Sequence, residues 1–159
     1  MRLATKIFLA LLFSLPGALN AQSGSILGQW EDPGGSVVSI GRCDNGVCIW
    51  VDALSPSAPA STDIHNPDPK QKRRPLCGLK IGSDFHMADA QHADGGALYD
   101  PKSGNTYHGE MKIVAGELHL RGYIGFSIFG RTEVWKRTDK PVTSCASAAV
   151  TLSAHPSSP

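Results

Sequence analysis

Asn105-Thr106-Tyr107-His108-Gly109-Glu110-Met111-Lys112-Ile113-Val114-Ala115-Gly116-Glu117-Leu118-His119-Leu120-Arg121-Gly122-Tyr123-Ile124 is the stretch that decides the fold class. Ala115-Gly116 reads as a turn. Counting outward from it sets Ile113 opposite Leu118, Met111 opposite Leu120, Gly109 opposite Gly122 and Tyr107 opposite Ile124. The reverse face sets Lys112 opposite His119, Glu110 opposite Arg121 and His108 opposite Tyr123. One face is apolar and the other carries opposed charges, as a half-buried antiparallel pair requires.

The same alternation extends in both directions. A strand over 97–100 joins the hairpin through Pro101-Lys102-Ser103-Gly104, a turn with glycine at a left-handed position. Beyond the hairpin, a loop with the tip Phe126-Ser127-Ile128-Phe129 leads to a last strand over 131–137. The tip is expected to fold back and plug a barrel end; the alternative is an exposed apolar patch. Near the other end of the chain, Gly28-Gln29-Trp30-Glu31 is a short strand stopped by Asp32-Pro33-Gly34-Gly35. Strands over 37–42 and 47–54 flank Asn45-Gly46, the strongest two-residue hairpin signal. That turn places Val38, Ile40, Ile49 and Val51 on a core face, and Trp50 opposite Gly41. It also sets Cys43 opposite Cys48 at a non-hydrogen-bonded position, where a disulfide fits. Cys77 and Cys145 remain as a second pair.

Between these halves, residues 55–61 are rich in Pro, Ser and Ala. His65 to Leu79 then carries Pro67, Pro69 and Pro75, which stiffen the chain, with Asp68 placed to cap one short helical turn inside 66–76. Lys70, Lys72, Arg73, Arg74 and Lys80 surround it. Two readings stay open, a rigid crossover or a loop that touches a ligand. A short strand is expected over 79–81. Residues 84–96 hold His86, Asp89 and His92 and receive no element.

Size and charge bound the function. Arg2 and Lys6 precede an apolar run too short to span a bilayer, so 1–21 reads as a signal peptide, 22–140 as one domain and 141–159 as a flexible Ser/Ala/Pro-rich tail. Lys and Arg number 15 against 14 Asp and Glu; removing the two cations of the leader gives 13 − 14 = −1. This balance argues against general nucleic-acid binding, and no transmembrane segment is expected. Export to the periplasm or extracellular space makes the cysteines disulfide candidates. About eight short strands in one small chain suggest a closed barrel or a sandwich.

Gly28-x-Trp30 at the first strand and Trp135-x-Arg137 at the last resemble the lipocalin-type (calycin) barrel. That resemblance implies Trp30 at the closed end beneath Arg137, a cation over an indole face. More narrowly, the chain resembles a family of small exported bacterial proteins described as a domain of unknown function. The resemblance rests on Gly28-x-Trp30, Cys43 with Cys48, Asn66-Pro67-Asp68-Pro69, Arg74-Pro75-Leu76-x-Gly78 and Tyr99-Asp100-Pro101. It continues through Gly104-x-x-Tyr107, Arg121-Gly122-Tyr123 and Gly130-Arg131 to Trp135-x-Arg137. It implies an up-and-down lipocalin-like barrel of about eight strands outside the cytoplasm, without an established activity. Cys77, and the Asp and His content of 84–96, depart from the family pattern.

The expected function is non-enzymatic binding of a small apolar or amphipathic molecule. Candidate contacts are Tyr107, Met111, Leu120, Glu133 and Trp135, with Arg73 and Arg74 available to an anionic head group. The facing Gly109 and Gly122 open space that is either a cavity or filled by Tyr107 or Trp135. Glu133 shares a face with Trp135, so it is expected to be inward and to need a partner. No cofactor is expected. His86, His92 and Asp89 are the weak metal-ligand candidates, ligand-type side chains close in sequence whose spacing matches no defined motif. No nucleophile or phosphate-loop motif is present; Cys77 with His65, or Asp68 with Asp100, are the weak catalytic alternatives. A cell-envelope interaction module with a filled barrel is the competing function.

Overall fold

The computed structural model describes residues 24–139 and Cys145. The leader expected over 1–21 and the tail over 141–159, Cys145 apart, lie outside the described residues. Eight antiparallel strands run in chain order: β1 (Gly28–Glu31), β2 (Val37–Cys43), β3 (Gly46–Ala53), β4 (Lys80–Met87), β5 (His92–Asp100), β6 (Asn105–Val114), β7 (Glu117–Tyr123) and β8 (Arg131–Arg137). Each pairs with its neighbours, and β1 returns to β8 through Trp30–Arg137 and Glu31–Lys136, closing the barrel. The seam is short: among the described residues only Lys136 and Arg137 of β8 pair with β1.

The β6–β7 register agrees with the count made from Ala115-Gly116 for every pair from Ile113–Leu118 to His108–Tyr123. Ile124 is the exception. β7 stops at Tyr123, and Ile124 is 71% exposed rather than facing Tyr107 inside the barrel.

The β2–β3 hairpin turns one residue earlier than Asn45-Gly46 predicts: Cys43 pairs with Gly46 across Asp44-Asn45, and Gly41 with Cys48. Gly46 takes φ +125° where the carbonyl of Phe85 crowds its Cα, leaving no room for a side chain. Moving the turn by one residue shifts opposed partners by two, so each side chain keeps its face. Val38, Ile40, Ile49 and Val51 are buried accordingly, while Trp50 pairs with Ser39 and covers Gly41 diagonally. Cys43 and Cys48 become diagonal neighbours, 5.9 Å apart at Cα and still bridged. Cys77–Cys145 forms the second disulfide.

Residues 84–96 are not a loop but the end of β4, a turn, and the start of β5. Two irregularities hid them. On β4, Asp84 has φ +61°, and the two residues between Gly82 and Phe85 face one, Cys48, on β3. On β5, the two residues between Ala93 and Gly96 face one, Glu110, on β6. Paired bulges break the period-two pattern and bend the sheet where the barrel must curl.

The bend brings Phe85 into the axis. A Cβ at Gly96 would overlap its ring, and one at Gly109 would lie 2.6 Å from its Cζ. Phe85 therefore occupies the space over Gly109 that was expected to be a cavity or to be filled by Tyr107 or Trp135. With Trp30, Ile49, Met111 and Leu118 it packs the lower barrel solid; all five side chains are fully buried.

Below that layer, residues 24–27 cross the barrel end. Ile26 is buried and donates its N–H to Ala90 O at 2.9 Å, and Trp30 Nε1 donates to Ile26 O at 2.8 Å. Arg137 stacks its guanidinium 4.0 Å from the Trp30 ring centroid and donates to the carbonyls of Leu27 and Ser25. Burial lowers the Arg137 pKa from its usual value. This end is closed in the manner the lipocalin resemblance implies.

Candidate ligand site at the open end

Four connections leave the other end: 32–36, 54–79, 101–104 and 124–130. The longest lies against the rim because of a carboxylate the sequence reading missed. Asp63 is fully buried and accepts hydrogen bonds from Tyr99 Oη (2.6 Å), Asn66 Nδ2 (2.7 Å) and Arg74 Nε (2.8 Å), with Arg74 Nη2 also at 2.8 Å. The Arg74 guanidinium also sits 5.3 Å from the centroid of the Tyr99 ring.

Burial pushes the Asp63 carboxyl up. The bonds from Tyr99, Asn66 and Arg74, with the charge of Arg74, outweigh that and hold its pKa below the usual carboxylate value. Tyr99 is raised by burial and by donating to the Asp63 anion. The loop backbone is paired as well, through the Thr62–Pro75 bridge and Leu76 N to Ser61 O at 2.9 Å.

This clamp explains several motifs. Asn66 Oδ1 accepts from Asp68 N, and Asp68 Oδ1 from Lys70 N, both at 2.9 Å. Pro67 and Pro75 stiffen the two ends of the segment so arranged. The helical turn expected inside 66–76 is absent; the chain makes two successive turns instead, closed by Gln71 N to Asp68 O and Arg74 N to Gln71 O. Arg74, expected with Arg73 as a head-group cation, is committed to Asp63. Arg73 is exposed.

Beneath the clamped loop lies an apolar cavity of about 110 Å³. Val38, Val51 and Ile81 line it from the barrel, Leu54, Ile64 and Leu76 from the loop, and Trp135 from β8. Beside it opens a wider depression of about 630 Å³, bounded by Leu98, Tyr107, Leu120, Glu133, Arg131 and, from the tip loop, Ile124 and Phe129. Glu133 is exposed here rather than buried, and its Oε2 accepts from Trp135 Nε1 at 3.0 Å. That pair stands between the two spaces. Tyr107, Leu120 and Glu133 thus line the wider depression, and Trp135, bonded to Glu133, lines the cavity. Met111 is fully buried in the packed layer and lines neither space.

The tip of the β7–β8 connection does not plug the barrel. Ser127 Oγ donates to Glu110 Oε1 at 3.1 Å, and Arg121 Nε donates to Ser127 O at 2.9 Å, so the turn Ser127–Phe129 is held against the outer face of β6 and β7. Phe126, Ile128 and Phe129 are 75–79% exposed.

The histidines are dispersed on the outer wall. His86 pairs with Asp94 across β4–β5, His92 lies in a row with Lys112 and His119, and Asp89 accepts from Gln91 N at 2.7 Å. Among the described residues no three His, Cys, Asp or Glu side chains gather closely enough to hold a metal. None of the described helices is long and apolar enough to cross a membrane.

A family model described as an uncharacterized protein conserved in bacteria (DUF2147) matches residues 28–137, from the first residue of β1 to the last of β8. The chain belongs to that family. The clamp and both disulfides except Cys145 lie within the DUF2147 region. No curated protein matches the chain. Among solved structures, protein HP1028 from the human pathogen Helicobacter pylori, described as belonging to the lipocalin family, is similar with a TM-score of 0.66 and 21% identity. The match covers 74% of this chain and 86% of that one. At that identity the likeness establishes the lipocalin-like fold, as the closed eight-stranded barrel does independently.

Proposed function

We propose that this DUF2147 member is an exported, non-catalytic binding protein that holds a small apolar or amphipathic molecule at the open end of its barrel. The observation that carries the reading is the apolar cavity under the clamped loop, with a wider, more polar depression on the far side of the Trp135–Glu133 pair. About 110 Å³ has room for three or four water-sized groups, so it suits the apolar end of a ligand and not the whole of one. The remainder would lie in the depression, where Arg131, Glu133 and Tyr107 offer polar anchors.

Two observations favour binding over catalysis. Cys77 is in a disulfide and has no thiol to offer, and Asp68 and Asp100 each accept backbone N–H groups within their own turns. Two disulfides agree with an oxidising compartment, periplasmic or extracellular. A competing reading, an envelope interaction module, draws on the exposed tip.

Displacement of a fluorescent single-chain fatty acid tests the pocket. Val51→Phe, which fills the cavity, should weaken binding about tenfold while leaving the unfolding midpoint near that of the wild type. Glu133→Gln should weaken it less. Equal affinity for all three proteins would defeat the reading, and native mass spectrometry of protein from its own compartment would show whether a ligand is carried.

A further inference from the structure

The connection from β7 to β8 presents Ile124, Phe126, Ile128 and Phe129 to solvent at 71–79% exposure. Scattered apolar side chains on a surface need no explanation, but four large ones on six consecutive residues form a patch. The chain also holds the patch out. Ser127 is fastened to Glu110 and Arg121 by its hydroxyl and its carbonyl, so the bonds that order the loop leave Phe126 and Ile128 standing out from the barrel.

The surroundings of the patch narrow the choice of partner. Ile124 and Phe129 also line the barrel mouth, which makes the apolar surface continuous from the tip to the opening. Arg131 follows the tip directly, and Lys102 stands on the neighbouring 101–104 connection. Both are exposed, and neither makes an ion pair among the described residues. Lys70, Lys72 and Arg73 are exposed on the 54–79 loop at the same end and are likewise unpaired among the described residues. Apart from Asp63, which is paired with Arg74, the carboxylates at this end, Asp32, Asp68, Asp100 and Glu133, keep their negative charge and are outnumbered by these five cations. Asp100 accepts from Lys102 N and Ser103 Oγ, Asp68 from Lys70 N, and Glu133 from Trp135 Nε1. Protruding apolar side chains flanked by unpaired cations match a surface of acyl chains beneath anionic head groups.

We infer that the barrel docks by this end on anionic lipid bilayers, with the 124–129 tip entering the interface and the rim cations meeting lipid phosphates. Where the pocket reading also holds, docking sets the mouth against the bilayer, and the ligand class becomes single-chain amphiphiles drawn from it. The docking itself does not rest on that reading.

The test is co-sedimentation with vesicles of equimolar phosphatidylglycerol and phosphatidylcholine, against vesicles of phosphatidylcholine alone. Wild-type protein should sediment with the anionic vesicles, and added salt should weaken this. Phe126→Ser/Ile128→Ser should weaken it about tenfold, because two apolar anchors are removed. Those residues line neither cavity and are already exposed, so the unfolding midpoint and fatty-acid binding should not change. Lys102→Glu/Arg131→Glu should abolish the preference for the anionic vesicles. Failure of wild-type protein to bind either vesicle, or equal binding by Phe126→Ser/Ile128→Ser, would overturn the inference. A dimer in light scattering that the same double variant dissolves, without vesicle binding, would overturn it in favour of a second copy of this chain. These outcomes are read without a soluble ligand, so they stand or fall separately from the fatty-acid displacement.

Discussion

The two ends of the barrel close by different physics. At the lower end, short turns and the 24–27 segment close the barrel, and the seal is made of apolar side chains with one stacked cation, Arg137 on Trp30. At the upper end a long loop is drawn over the rim by a buried carboxylate and its three partners, and the packing beneath it stays incomplete. Apolar packing is non-directional and fills space; a polar clamp fixes particular atoms and leaves the space between them. The lower end therefore supplies stability, and the upper end has the room a binding site needs.

This contrast makes Phe85 the most sensitive point of the molecule. Phe85→Ala should lower the unfolding free energy by about 3–5 kcal/mol in denaturant titration, since Gly96 and Gly109 have no side chains to move into the gap. A cost under about 1 kcal/mol would mean that the lower barrel can collapse as the upper end cannot.

Next comes Asp63→Asn, expected to cost about 3 kcal/mol, the low end for a broken buried pair because Arg74 is 34% exposed. The loss should be local. Proteolysis and amide exchange should rise across 62–76 while the lower barrel keeps its protection. The pH dependence has a definite sign. The Asp63 pKa is lowered below 3.8, so the clamp is at full strength above that value and is lost as pH falls through the lower, folded pKa. In wild-type protein the loop should loosen in that acid window before the barrel does. Asp63→Asn should show no such step.

The smallest effect belongs to Arg137→Ala, about 1–2 kcal/mol in the same titration. Arg137→Lys should recover part of it, since an ammonium restores the charge over Trp30 but not the planar stack or both carbonyl contacts. Full loss in Arg137→Lys would assign the effect to those hydrogen bonds rather than to the cation–indole contact.

Much of the sheet was legible because antiparallel strands with one buried face write their register into alternation. The hairpin from Asn105 to Tyr123 and the bounds of β1, β6 and β8 needed nothing else. Even the misplaced Asn45-Gly46 turn cost no face assignment and no disulfide, because a shift of two preserves the pleat. The site was less legible. Alternation put Tyr107, Leu120 and Trp135 on the inner face, where they line the two spaces, whereas Met111 differs from them in height along the axis, which alternation does not record. The signal that would have located Phe85 was present in two glycines, Gly96 and Gly109, that become neighbours once β5 and β6 are paired through a bulge.

The sequence by itself determined the strand class, the register of the long hairpin and the Cys43–Cys48 bridge, since each rests on local periodicity or turn chemistry, and short family motifs pointed to the closed end. Only the tertiary structure decided that Phe85 fills the axis, that Asp63 clamps the long loop and that the 124–129 tip faces outward. Asp63 and Tyr99 are 36 residues apart, and no local rule relates them. A buried charge chooses its partners among groups that the finished fold brings together, and the same fold fixes which space is left over.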